Sequence, residues 1–125
     1  MKSMSITPIA DPRVAQLIDA NLDRAREGIR VIEDWCRFGL HREDLVVTLK
    51  DLRQQLANHH HKIYKQARST STDQGLGLNH PAQKNRESPQ QVIAANCARS
   101  QEALRVLEEF ARNPDPCLAK SATRI

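Results

Sequence analysis

At 125 residues the chain has the size of one small domain, with enough length for a core but no room for a second one. Only 39% of its residues are hydrophobic and 3% aromatic, so helices packed through Leu, Ile, Val and Ala are the natural construction. The net charge of +4 is compatible with phosphorylated ligands, with nucleic acid or with no particular partner, no window is apolar enough to span a membrane, and the first residues lack a signal-peptide core. The expected setting is the cytoplasm, with Cys36, Cys97 and Cys117 as reduced thiols, since three cysteines without metal-like spacing suggest neither a disulfide framework nor a metal site.

Residues 1–10 read as a flexible leader. Asp11-Pro12 then provides a cap acceptor followed by Pro at the first helical position, and the spacing predicts a helix over 11–39. Its apolar stripe is Ala15, Ile18, Leu22, Ala25, Ile29, Ile32 and Cys36. A second stripe lies beside it at Leu17, Gly28, Val31 and Trp35, so this helix should touch at least two others. Gly39 is the expected closing residue. A second helix is predicted over 41–68, with Glu43 and Asp44 in its first turn and a seam of Leu45, Leu49, Leu52 and Leu56. Residues 69–87 lack periodicity and read as a long loop, which in a small domain is usually functional or disordered. Ser88-Pro89 starts a third helix over 88–113, stopped by Asn113-Pro114. Residues 117–125 resemble the first turns of a fourth helix cut short. The fold class expected is all-α, a bundle of three long helices with a truncated fourth and a helical domain over 11–116.

One motif occurs twice at a constant offset of 75 residues. Asn21, Arg24, Glu27, Arg30, Val31, Glu33 and Arg37 return as Asn96, Arg99, Glu102, Arg105, Val106, Glu108 and Arg112. Such an internal repeat points to two equivalent helices facing each other across one core. On the helical wheel Asn21 and Asn96 fall near the middle of the buried arc, and Arg24 and Arg99 fall on the second stripe. A buried amide or guanidinium must find partners. One reading is an interhelical network in which Arg24 and Arg99 pair with Glu102 and Glu27. The other is an anion or amide-ligand pocket, with arginine forks for phosphate. Glu33–Arg37 and Glu108–Arg112 have the order of ordinary i,i+4 ion pairs. Arg30 and Arg105 are either solvated ion-pair partners or rim ligands. In the loop, Asp73 with Gly75 and Gly77 offers a possible magnesium and phosphate contact, against the plainer reading of a turn. His59-His60-His61 reads as a partly exposed helix-end cluster, since adjacent helical residues point apart. Lys62, Lys65 and Arg68 make a basic edge, but with Tyr64 as its sole aromatic neighbour it falls short of a nucleic-acid surface.

The paired motifs, together with Ala67-Arg68 and Asp73-x-Gly75 between them, resemble the N-terminal domain of cyanobacterial-type thiamine-phosphate synthases over about residues 18–113. Related domains resemble a monofunctional hydroxymethylpyrimidine-phosphate kinase. The resemblance implies ATP-dependent transfer of a phosphoryl group to a pyrimidine phosphate, with Mg²⁺ and ATP as cofactors. It makes Asn21, Arg24, Arg30, Arg68, Asn96, Arg99 and Arg105 candidates for substrate and phosphate binding, and Glu27, Asp73 and Glu102 candidates for Mg²⁺. The alternative it leaves open is a non-catalytic accessory or dimerisation module. No strand pattern of a synthase barrel is legible, so condensation of the two thiamine halves is not expected of this chain alone.

Overall fold

The structure, a computed structural model, describes residues 11–68 and 88–125; the expected leader and the 69–87 loop lie outside the described residues. Every described element is helical: α1 Pro12–Asp34, a π-helical turn Trp35–Gly39, α2 Glu43–Asn58, α3 Lys62–Gln66, α4 Pro89–Phe110 and α5 Pro116–Arg124. None of these is long and apolar enough to cross a membrane.

Local chemistry sets the starts. Asp11 accepts the backbone N–H of Arg13 at 2.9 Å, and Ser88 accepts that of Gln91 at 3.2 Å, each with Pro in the first helical position. Asp115 does the same for α5, accepting from Leu118 at 3.2 Å. The end of α1 differs from expectation. The helix widens into a π turn in which Leu40 N–H donates to Trp35 O at 3.0 Å, and the left-handed residue is His41, with φ 53°, rather than Gly39. Gly39 is needed for a different reason: a methyl there would lie within 2.7 Å of the Trp35 ring.

The predicted helix over 41–68 is also broken. His59-His60-His61 interrupts it, and the short α3 turns Tyr64 fully inward. The Tyr64 hydroxyl donates to Asp115 at 2.7 Å, tying α3 to the start of α5. Burial first, and the neighbouring carboxylate second, hold the phenol proton well above its usual range. His59 reaches Ser121 Oγ at 2.8 Å and ties the end of α2 to the same helix. Consequently α5 is no loose stub: Leu118, Ala119 and Ala122 are buried in the core.

α1 is the centre of the packing, against α4, α2 and α3. Ile18, Leu22, Leu56, Leu107 and Leu118 are fully buried, and each such side chain contributes on the order of 1.5–3 kcal/mol. α1 and α4 run antiparallel and meet where Ser100 Oγ lies 3.4 Å from Ala25 O, residues separated by the same 75 positions as the two motifs. Beside them, a methyl on Gly28 would overlap Ser100 Oγ and come within 3.0 Å of Asn96 O.

Two substitutions at Gly28 therefore have different outcomes. Gly28→Ala gains about 1 kcal/mol of helix propensity and loses about as much to crowding, leaving stability nearly unchanged. Gly28→Leu cannot fit and should lower the unfolding free energy by about 1–3 kcal/mol in urea titrations. A Leu variant as stable as the parent would contradict the close crossing.

Candidate functional site

The face of α1 turned away from α4 carries charge. Asp19, Asp23, Arg26, Glu27, Arg30, Glu33 and Arg37 recur at intervals of three, four and one, which places them along one broad helical strip. α2 and α3 cover that strip and turn it into a seam of charged contacts. Glu33 is only 1% exposed, and its carboxylate is held by Arg53 of α2 at 2.7 Å and by Arg37 at 3.4 Å. Removing one partner from such a pair costs about 3–5 kcal/mol, because the other charge stays buried.

At the other end of the seam, Asp19 accepts from Arg68 at 2.8 and 3.0 Å and from His60 Nε2 at 2.6 Å. Arg68 also donates to Asp23 at 3.1 Å. Burial pushes the Asp19 carboxyl up, but the hydrogen bonds from Arg68 and then His60 outweigh it and hold the group below its ordinary 3.8.

Between these two anchors lies a cleft of about 320 Å³ lined by Asp23, Arg26, Glu27, Arg30 and Arg53. That volume is at the low end for small-molecule sites, about 300–1,000 Å³, and matches one small ligand. Arg26 Nε and His60 Nδ1 are both buried, and neither has a hydrogen-bond partner among the described residues. Each unmade hydrogen bond costs about 1–3 kcal/mol, and of the two residues Arg26 is the one that lines the cleft.

The sequence-predicted residues divide. Asn21 and Asn96 are buried between α1 and α4 as expected, but each amide nitrogen donates back to its own helix, to Leu17 O at 2.9 Å and to Val92 O at 2.8 Å. Arg24 and Arg99 are exposed rather than inward, and neither forms an ion pair among the described residues, so the expected pairing with Glu102 and Glu27 does not form. The reason is the tight crossing: only Gly28 of the second stripe is buried, while Leu17, Val31 and Trp35 stay half-buried and leave the arginine in solvent. Arg30 pairs with Asp34 at 3.5 Å, and Arg105 with Glu108 at 2.8 Å and Glu109 at 2.7 Å. Arg112 leans to Glu109 at 3.7 Å instead of the expected Glu108. Glu27 and Arg30 line the cleft, and Arg68 is joined to it through Asp23. Glu102 is exposed on α4, and Asp73 lies outside the described residues.

Sequence reasoning missed Asp19, Asp23, Arg26, Arg53 and His60. The first three share the strip with Arg30 and Glu33, a regularity visible at spacing four, three, four and three. His60 was read as partly exposed, but its side chain is 2% exposed, because the break in the helix turns it onto α1.

Residues 16–125 match the ThiD2 family. The chain is 77% identical over all its 125 residues to a thiamine-phosphate synthase of Prochlorococcus marinus (strain MIT 9303), of which it covers 35%. It is 71% identical over 115 residues to a thiamine-phosphate synthase of Synechococcus sp. (strain CC9605), covering 92% of this chain and 33% of that protein. The chain thus spans about a third of the length of these relatives. No solved structure matches it.

The Asp19 contacts set a pH dependence with a definite sign. A carboxyl whose folded value is depressed contributes stability that is present above its unfolded value, near 3.8, and is lost as pH falls through the folded value. Asp19→Asn should therefore be less stable than the parent at pH 7 and fall less steeply below about pH 4. Urea unfolding at neutral and acid pH checks this, and an unchanged acid slope in the variant would contradict the assignment.

Proposed function

The chain belongs to the ThiD2 family, and from that premise we propose that it is a thiamine-biosynthesis domain that binds a phosphorylated pyrimidine in the α1–α2 cleft and takes part in its phosphorylation. The observation that carries this reading is the cleft itself, with three guanidinium groups on its walls and the buried Nε of Arg26 lacking an acceptor among the described residues. A phosphate oxygen supplies that acceptor, and a planar guanidinium binds it with directional, charge-assisted hydrogen bonds.

In the reaction, an oxygen of the pyrimidine's phosphate bonds to the γ-phosphorus of ATP while the bond from that phosphorus to the departing ADP oxygen breaks. Crowding of anionic groups is the main barrier, and catalysis is mostly positioning and charge neutralisation. Arg26 and Arg30 hold the acceptor phosphate from α1, and Arg53 closes the α2 side while remaining tied to Glu33. Among the described residues no group of three or more His, Cys, Asp or Glu side chains forms a metal cage. The donors fit Mg²⁺ only as an ion carried on nucleotide phosphates, with Glu27 at the cleft as its protein carboxylate. Bound there, the ion would supply charge neutralisation at the transferring group. The cleft is sized for the pyrimidine phosphate alone, so ATP calls on further surface.

A second reading has its own support. Phe38 is 70% exposed, Leu40 49% and Val47 58%, all at the corner between α1 and α2. Together with relatives about three times as long, this suits a non-catalytic module that docks on a synthase barrel or on a second protomer.

A coupled assay for ADP formed from ATP and hydroxymethylpyrimidine phosphate separates the two. The kinase reading expects saturable turnover. Arg26→Met should weaken binding of the pyrimidine phosphate by about tenfold to a hundredfold, the worth of a charge-assisted hydrogen bond, without loss of melting temperature. No turnover and no saturable binding of the pyrimidine phosphate would falsify it and leave the docking module.

A further inference from the structure

α1 and α4 form one layer of the bundle, and α2, α3 and α5 pack beneath it, with α2 touching both α1 and α5. No described element covers the outer side of that layer. On α1 its midline carries Leu17, Arg24, Val31 and Trp35, which share one helical face; on α4 it carries the equivalents 75 positions on, Val92, Arg99, Val106 and Phe110. Phe110 is 47% exposed and the other five apolar side chains are half-buried, so each helix leaves an apolar stripe open, with an arginine at its middle. The charges on this face point to its partner. Arg24, Arg99, Glu27 and Glu102 are all exposed, and none makes an ion pair or a side-chain hydrogen bond among the described residues. The internal repeat has thus kept an arginine and a glutamate in both helices that neither the core nor the surface of one chain uses.

We propose that the outer α1–α4 face is the interface of a homodimer, with a second copy of this chain as its partner. The register of the crossing makes the face self-complementary. The helices meet at Ala25 and Ser100; Arg24 and Arg99 lie one residue before that point on their helices, and Glu27 and Glu102 two residues after it. A two-fold axis in the plane of the face and along the helices sets α1 over α4 of the other copy at unchanged height. Arg24 then meets Glu102 of the other copy, and Glu27 meets Arg99, to within one residue or about 1.5 Å. An axis across the helices sets each helix on itself, and Arg24 meets Glu27 and Arg99 meets Glu102 with the same small offset. A partner of a single charge sign satisfies two of these four groups and repels the other two, whereas a second copy brings two of each. The size fits as well: two helices about 33 Å long and about 10 Å across present roughly 700 Å², close to the roughly 800 Å² per partner of a stable complex. This interface does not rest on the pyrimidine-phosphate reading, since the cleft opens on the α2 side of α1. Glu27 borders both, and pairing through one carboxylate oxygen leaves the other for the cleft.

Sedimentation equilibrium on the whole chain at micromolar concentration tests the proposal. The parent should weigh about twice its 14.2 kDa. Arg24→Glu with Arg99→Glu makes the face wholly acidic, and Glu27→Arg with Glu102→Arg makes it wholly basic. Each of these chains alone should self-associate about a hundredfold more weakly than the parent, because like charges then face each other. Mixed in equal amounts, the two should restore a one-to-one complex, which a change that merely disturbs folding cannot do. Phe38→Asp with Val47→Asp, at the corner between α1 and α2, should leave the parent's weight unchanged. A monomeric parent overturns the proposal, as does a mixture of the acidic and basic chains that stays monomeric. A dimer that survives both charge reversals, or one lost in the Phe38 and Val47 double variant, places the contact elsewhere and overturns it equally.

Discussion

Between Ala25 and Gly28 the backbone of α1 comes so near α4 that a methyl on Gly28 would overlap the Ser100 hydroxyl, which lies 3.4 Å from the Ala25 carbonyl. That contact fixes which side of α1 is core. Ile18, Leu22, Ala25 and Ile29 fall toward the packed interior, and the charged strip from Asp19 to Arg37 is turned to where α2 and α3 must cover it. A looser crossing would admit Arg24 and Arg99 to the interface; the tight one excludes both.

Covering a charged strip is costly unless every charge finds a partner. The two ends of the seam meet that requirement in different ways. Glu33 is compensated by two arginines on two helices, and Asp19 by Arg68 and a histidine turned inward by the break between α2 and α3. The middle does not meet it. Arg26 Nε and His60 Nδ1 have no hydrogen-bond partner among the described residues.

Much of the fold could be read from the chain before its structure, and the failures have physical causes. The caps at Asp11 and Ser88, the core stripe of α1 and the all-helical class are local signals, and they hold because tertiary packing agrees with them. The single helix expected over 41–68 breaks because burying Tyr64 against Asp115 and His60 against Asp19 outweighs helix continuity, a bargain made over 51 and 41 residues of separation. The wheel correctly buried Asn21 and Asn96 but also drew Arg24 and Arg99 inward, since a wheel carries no information on how narrow a crossing is. The repeat drew attention to residues the two motifs share, and that emphasis hid the strip that only α1 carries: Asp19, Asp23 and Arg26 have Ala94, Ala98 and Gln101 at the corresponding positions of α4. Where two similar helices differ in charge, the difference locates the cleft.

The claim at the centre of this account is that the ligand lies on the α2 side of α1 and not between α1 and α4. A structure of the chain with hydroxymethylpyrimidine phosphate tests it most directly. The account predicts the phosphate within hydrogen-bond distance of Arg26 Nε, with Asp23 and Arg30 beside it. A ligand seated instead against Asn21 and Asn96, or at the Phe38–Val47 corner, would contradict it.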